Sequence, residues 1–353
     1  MKLLANNETV NSLSKVNFQI LIAHKQDGVI KTQLPNVESQ IKWETHRQGS
    51  PGKLTFRVHK DANLNFQPGD VASLYSYPED EKIANSNDLL TKGTLLFWGY
   101  VFTKKRNKDG WIEVTAYDAL RYLKNKDTIT YTNKKASEVV STIAKNWTIP
   151  VGKIEDTNYV IGSRVEDDQS LIDILQNAID LTLISTNTLY VLYMDQDKIC
   201  LENAINLRKN VVIDDTMLED YDYTTTIDED VYNEIELYYD DDKTNKRQYF
   251  NVRDSANIEK WYRLKYTENI QTPTNGQQRA EQMLKLYNQL NRKIQLKNVF
   301  GNPDCKAGSS VTVKLNLGDM ILDGWVRIEK AVHTITKDEY MMDLTVSSRE
   351  FAV

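Results

Sequence analysis

Apolar residues recur at every second position through the first 118 residues. Val16, Phe18, Ile20 and Ile22 alternate in this way, as do Leu54, Phe56 and Val58, and then Ile112, Val114 and Ala116 after Trp111. A period of two marks strands with one face buried, so this stretch reads as sheet. Turn residues separate the runs at Asp27-Gly28, Ser50-Pro51-Gly52, Pro68-Gly69-Asp70 and Asp109-Gly110. The last of these joins residues 94–104 to residues 111–117 and predicts an antiparallel hairpin, because Asp-Gly supplies the positive φ such a turn demands.

The period then changes. Ala136, Val139, Val140, Ile143, Ala144 and Trp147 recur at three-four spacing and make one apolar helical face that stops before Pro150. A second helix places Leu171, Ile174, Leu175, Ala178 and Ile179 on one side and Asp173, Gln176 and Asp180 on the other, with Asp168 as its expected N-cap. A short hairpin of residues 189–194 and 198–201 closes this portion.

Strand texture returns from about Leu207, in residues 233–239 and 247–252, and again in residues 310–315, 324–337 and 340–347. One amphipathic helix interrupts it, carrying Ala280, Met283, Leu284 and Tyr287, with Thr274 or Asn275 as its cap. The expected fold is therefore mainly β with α+β elements. A first β domain over residues 1–120 precedes an α/β insert at 121–206, and a second β domain with one helix fills 207–353.

Composition supports a folded chain, with 40% hydrophobic and 27% charged residues. The opening residues lack the apolar core of a secretory signal, and no run approaches the length of a membrane helix. Cys200 and Cys305 stand far apart with no Cys-x-x-Cys, so neither a disulfide framework nor a zinc site is expected. The net charge of −6 is uneven. Residues 214–242 hold 13 Asp and Glu and no Lys or Arg, which leaves about +7 on the rest of the chain.

Signatures of catalysis are missing: there is no nucleophile elbow, His-Glu-x-x-His pair, P-loop or dinucleotide-binding glycine run. Of the four histidines, His24, His46, His59 and His333, three fall in predicted strands, where a packed side chain is the expected role. The acidic segment could supply a glycosidase carboxylate pair, but carboxylates spread among five tyrosines fit the polar face of strands better. Asp195 and Asp197 read as a hairpin turn rather than metal ligands. The cluster Lys104-Lys105-Arg106 with Lys108, and Arg121 with Lys124 and Lys126, read as solvated turns rather than a nucleic-acid surface. No catalytic residue, cofactor or metal is assigned.

Several of these pieces occur together in a recognisable order: SPGKLTFRV, FQPGDVASLY, LFWGYVFTKKRNKDGWIEVTAYDALRYLKN, KKASEVVSTIA and DDQSLIDILQNAIDLT. They close with AGSSVTVKLNLGDMILDGWVRIEKAVHTITKDEYMMDLTV. In that order they resemble the baseplate hub family of contractile phage tails, which includes the XkdQ-like proteins of defective prophages and the late-control D proteins. The resemblance runs across nearly the whole chain and rests on order and spacing, since no single piece is specific.

The resemblance implies two tail-tube-like β-barrel or sandwich domains flanking the insert. It implies a homotrimeric hub whose six tube-like units face a sixfold tail tube on one side and a threefold central spike on the other. Baseplate wedge and tape-measure proteins are further implied partners, as is passage of DNA without specific binding. A protein of this kind is made in the bacterial cytoplasm and becomes part of the assembled tail. Rings of this kind need strand edges that pair with neighbours, and the hairpin of residues 94–117 is the expected one. Trp98, Tyr100 and Trp111 on it are the candidate subunit-interface residues. The acidic segment would line the lumen or meet a basic partner ring. Two other readings stay open: a tail-associated cell-wall hydrolase using carboxylates of the acidic segment, and a monomeric carbohydrate- or surface-binding module.

Overall fold

Alternation along the N-terminal strands becomes a folded sheet in the computed structural model, which describes residues 16–347 apart from 27, 38, 39, 62, 242 and 243. The reading of the opening residues, the Asp27 half of the first turn and Asp242 at the end of the acidic run lie outside the described residues. Strands dominate and helices are few, as the period-two pattern implies. The chain forms two units, residues 1–41 with 54–116 and 335–339, and residues 42–53 with 117–334 and 340–353.

In the first unit six strands lie in the order Lys53–His59, Trp111–Tyr117, Thr94–Arg106, Val71–Pro78, Val16–Gln26 and Val29–Gln33. Val16–Gln26 runs antiparallel to Val71–Pro78 in unbroken register from Val16 opposite Pro78 to Ala23 opposite Val71. The next pairing carries a bulge, since Leu74 faces Phe97 but Tyr75 faces Leu95. Most of the alternating residues read from the sequence are buried, with Ile20, Ile22, Leu54, Phe56, Val58, Ile112, Val114 and Ala116 each less than 5% exposed, whereas Val16 and Phe18 are half-buried and the out-of-phase Leu21 is buried at 4%. The predicted hairpin closes with the Asn107 N–H donating to the Trp111 carbonyl and Gly110 at φ +82°, the conformation for which glycine is needed. His24 Nδ1 lies 2.7 Å from Asp70 Oδ2, whose carboxylate also accepts the Gln67 N–H, so a buried polar pair pins the Pro68-Gly69 turn to the first strand.

The second unit contains the insert and a second β-rich portion. Helices Ala136–Asn146 and Leu171–Thr186 share a core of Val140, Ile143, Leu171, Leu175 and Ile179 with the strands Tyr190–Asp195 and Lys198–Asn203. Asp195 and Asp197 flank the tight turn between these strands, where Gln196 takes a positive φ. Lys126–Tyr131 pairs with Arg164–Ser170 around a bulge between Glu166 and Gln169.

That bulge corrects one expectation: Asp168 does not cap the second helix. The chain is still extended there, Asp168 sits at φ +48° within the bulge, and Ser170 two residues later accepts the Asp173 N–H. A short polar side chain tolerates the left-handed backbone of a bulge, which explains the Asp without a cap.

The second β-rich portion orders Asp220–Thr226, Asn291–Phe300, Tyr340–Ser347 and Ile321–Ile335, with Ser310–Asn316 and Arg208–Asp214 branching from the last. Val299, Val313, Ile328, Leu344 and Val346 fill its core. A three-stranded sheet, Lys246–Arg253, Glu234–Asp241 and Lys265–Asn269, is covered by helix Gly276–Tyr287 through Ile235, Leu237, Phe250, Ala280 and Met283. Of the two cap candidates, Asn275 occupies the N-cap position, in a left-handed conformation and without a side-chain capping bond.

Candidate subunit interface

The alternation that builds the Thr94–Arg106 strand places Trp98 and Tyr100 on one face, two residues apart. Their rings meet edge to face with centroids 4.9 Å apart, and both side chains remain half-buried. Trp111 opens the neighbouring strand and belongs to a different aromatic group. The Arg57 guanidinium lies 4.2 Å above its ring, and His59 meets it edge-on at 5.1 Å. The structure therefore joins Trp98 to Tyr100 and ties Trp111 to the strand Lys53–His59.

The expectation that this hairpin offers a free edge for pairing is overturned. Thr94–Arg106 lies between Val71–Pro78 and Trp111–Tyr117, and the latter is in turn flanked by Lys53–His59. Both hydrogen-bonding sides of the hairpin are occupied over residues 94–101 and 111–117, so no incoming strand can add there. The terminal strand of this order is Val29–Gln33, where Val29 is 60% and Ile30 67% exposed. The signal was a Val-Ile pair directly after an Asp-Gly turn, too short to show a period.

The acidic run does not form one uncompensated face. Lys297 pairs with Asp220 at 3.3 Å and Asp222 at 2.7 Å, Arg263 with Glu234 at 2.9 Å, Lys265 with Glu236 at 2.8 Å and Arg247 with Asp240 at 2.6 Å. Every one of these cations comes from a later strand or loop, so five of the segment's 13 carboxylates meet a cation through tertiary contacts that sequence proximity conceals. Hydrogen bonds from Lys265 and Arg247 hold the Glu236 and Asp240 carboxyls below their ordinary range. A glycosidase acid requires the opposite shift.

Each histidine is likewise engaged. His333 is fully buried and stacks on Trp43 with centroids 4.5 Å apart. Its Nε2 lies 3.1 Å from the Cys305 carbonyl oxygen and its Nδ1 2.9 Å from the Tyr340 hydroxyl. A carbonyl only accepts, so Nε2 carries the proton and Nδ1 accepts from tyrosine. Burial, reinforced by nearby Lys306, pushes the imidazole down to about 3 and keeps it neutral. His46 sits 3.9 Å from Glu44. Among the described residues no group of three or more His, Cys, Asp or Glu is placed to hold a metal. Cys200 and Cys305 are both buried free thiols. No described helix is long and apolar enough to cross a membrane.

Comparison with known proteins places this architecture. The model of the YqbQ-like family matches residues 41–347. YqbQ of Bacillus subtilis (strain 168) is 28% identical over 313 residues, covering 86% of this chain and 91% of that protein. XkdQ of the phage-like element PBSX, from the same organism, is 27% identical over 315 residues, covering 86% and 92%. Among solved structures, the 43 kDa tail protein of prophage MuSo2 from Shewanella oneidensis superposes with a TM-score of 0.65 at 12% identity, over 94% of this chain and 99% of that one. The chain belongs to the YqbQ-like family, and its fold is the one found in a prophage tail protein.

Proposed function

We propose that this chain is a structural, non-catalytic component of a phage-type tail, acting as the baseplate hub that joins the tail tube to the central spike. The observation that carries the reading is the near end-to-end correspondence with a prophage tail protein, over 94% of one chain and 99% of the other. A relative that belongs to a phage-like element supports it from the sequence side.

In this reading the β-rich portions around residues 1–120 and 207–353 act as two tube-like domains, and 121–206 is the insert between them. Three copies then present six similar units to a sixfold tube and a threefold face to a spike, so the function is symmetry matching and load transfer. Tube, spike, wedge and tape-measure proteins are the partners, and DNA passes without being bound. Synthesis in the bacterial cytoplasm precedes incorporation into the tail. Trp98 and Tyr100, together with Trp111 under Arg57, supply half-buried aromatic area of the kind that anchors protein interfaces.

The test is the native mass of the purified chain by light scattering across a concentration range, repeated on co-expression with tube and spike proteins. A trimer, alone or with those proteins, is the expected result. A chain that stays monomeric in both settings overturns the hub. Trp98→Ala should weaken the trimer by roughly tenfold or more in dissociation constant while leaving the monomer folded, as expected when a central aromatic is truncated.

A further inference from the structure

We propose that the insert carries a docking groove for an extended, apolar peptide segment with a basic end, supplied by a partner protein. The strand Lys126–Tyr131 has only Arg164–Ser170 beside it, so one of its hydrogen-bonding edges has no strand partner among the described residues. A cavity of about 550 Å³ separates this strand from the helix Ala136–Asn146.

The lining shows where the cavity runs. All six consecutive residues from Asp127 to Thr132 touch it. Strand side chains alternate between faces, so a cavity touched by six in succession follows the edge of the strand, where the backbone N–H and C=O groups lie. The opposite wall is one helical face, Val139, Thr142, Ile143, Asn146 and Trp147, at the three-four spacing of a single side. Val139 and Ile143 are nearly fully buried and Trp147 is half-buried, so this wall is apolar at its floor and polar at its rim.

An unpaired strand edge facing a helix across an apolar floor is the geometry in which extended peptides add to a sheet. Backbone hydrogen bonds then supply affinity, and alternate side chains enter the groove. Charge selects the occupant further. At the Lys134 end, Lys134 pairs with Glu138 at 3.3 Å and Lys135 with Asp156 at 2.6 Å. At the other end, Lys126 pairs with Asp168 at 2.9 Å, while Asp127 and Asp167 hold only the N–H and hydroxyl of Thr128, each at 2.8 Å. Neither has a cation partner among the described residues. That end is left negative, and a Lys or Arg on the incoming segment complements it.

The probe is a display library of random linear twelve-residue peptides panned on the full chain, with the enriched sequence then synthesised with blocked termini and titrated by fluorescence anisotropy. Apolar residues at alternate positions and a Lys or Arg at one end are expected. Thr142→Trp, which fills the groove from an exposed position, should weaken binding by roughly tenfold or more, and N-methylation of alternate peptide amides should abolish it. Asp167→Asn should lower affinity a few-fold and flatten its salt dependence. Failure to enrich any such peptide overturns the proposal. So does binding that ignores both Thr142→Trp and N-methylation, or a cell-wall oligosaccharide that occupies the groove in place of the peptide.

Discussion

The hairpin that ends at Tyr117 and the strand that starts at Lys126 are separated by only a few residues, and they handle the same backbone in opposite ways. The hairpin is hydrogen-bonded on both sides over residues 94–101 and 111–117 and buries Phe97, Val101, Ile112 and Val114 to 5% exposure or less. The later strand is hydrogen-bonded on one side and leaves Lys126, Asp127, Thr128 and Thr130 exposed. The difference lies in what each strand has beside it. A long, strongly alternating strand is buried because neighbours cover it, and this is the condition under which it cannot recruit another chain. The short, Thr-rich strand lacks a second neighbour, so its edge remains available.

The contrast breaks most sharply in stability. Phe97→Ala should lower the unfolding free energy by about 3–5 kcal/mol in urea titrations, because it empties a site walled on both sides by strands. A loss under 1 kcal/mol would mean the hairpin is far less enclosed than its burial indicates.

Between the two regions in sequence stands Asp118, fully buried, accepting the Gly52 N–H at 2.8 Å and the Leu120 N–H at 3.0 Å. Burial outweighs those two donors and raises its carboxyl to about 7. The folded state therefore holds a proton that the unfolded chain has already released. Its contribution to stability falls as pH rises from about 4 through 7 and is constant above, a change of roughly 4 kcal/mol at most. His333 acts with the opposite sign. Its imidazole is held down to about 3, so the unfolded chain binds the extra proton and stability falls as pH drops from about 6.5 toward 3. Asp118→Asn keeps the Leu120 cap through its one amide oxygen, gives up the Gly52 bond because its amide nitrogen cannot accept, and removes the first slope. Urea midpoints measured from pH 4 to 7 should then improve only toward neutrality, and an unchanged profile would show that Asp118 titrates normally.

The smallest effect belongs to the open strand. Thr130→Val should shift stability by no more than about 0.5 kcal/mol, since the residue is exposed. If it proved as damaging as Phe97→Ala, the two strands would not differ as described.

Much of this was legible beforehand. The period-two runs gave the first-unit strands, the Asp109-Gly110 turn gave the hairpin, and the three-four spacing from Ala136 to Trp147 gave the helix. Each rests on contacts a few residues apart, or on a burial pattern that one strand or helix must satisfy by itself. The Asp168 cap was misplaced because a bulge prolonged the preceding strand by two residues, and bulges depend on the partner strand. Trp98, Tyr100 and Trp111 stood out in the sequence as aromatics on the predicted hairpin, but their grouping did not, since Arg57 and His59 reach Trp111 from a strand more than fifty residues earlier.

By itself the sequence determined which residues turn inward and where the chain reverses, because periodicity, glycine and proline act locally. Tertiary structure alone decided which strands have neighbours on both sides and which carboxylates of the acidic run meet a cation. It also decided that the edge of Lys126–Tyr131 opens onto a groove. A strand's own pattern is the same whether or not another strand lies beside it, and a charge's partner can come from anywhere in the chain.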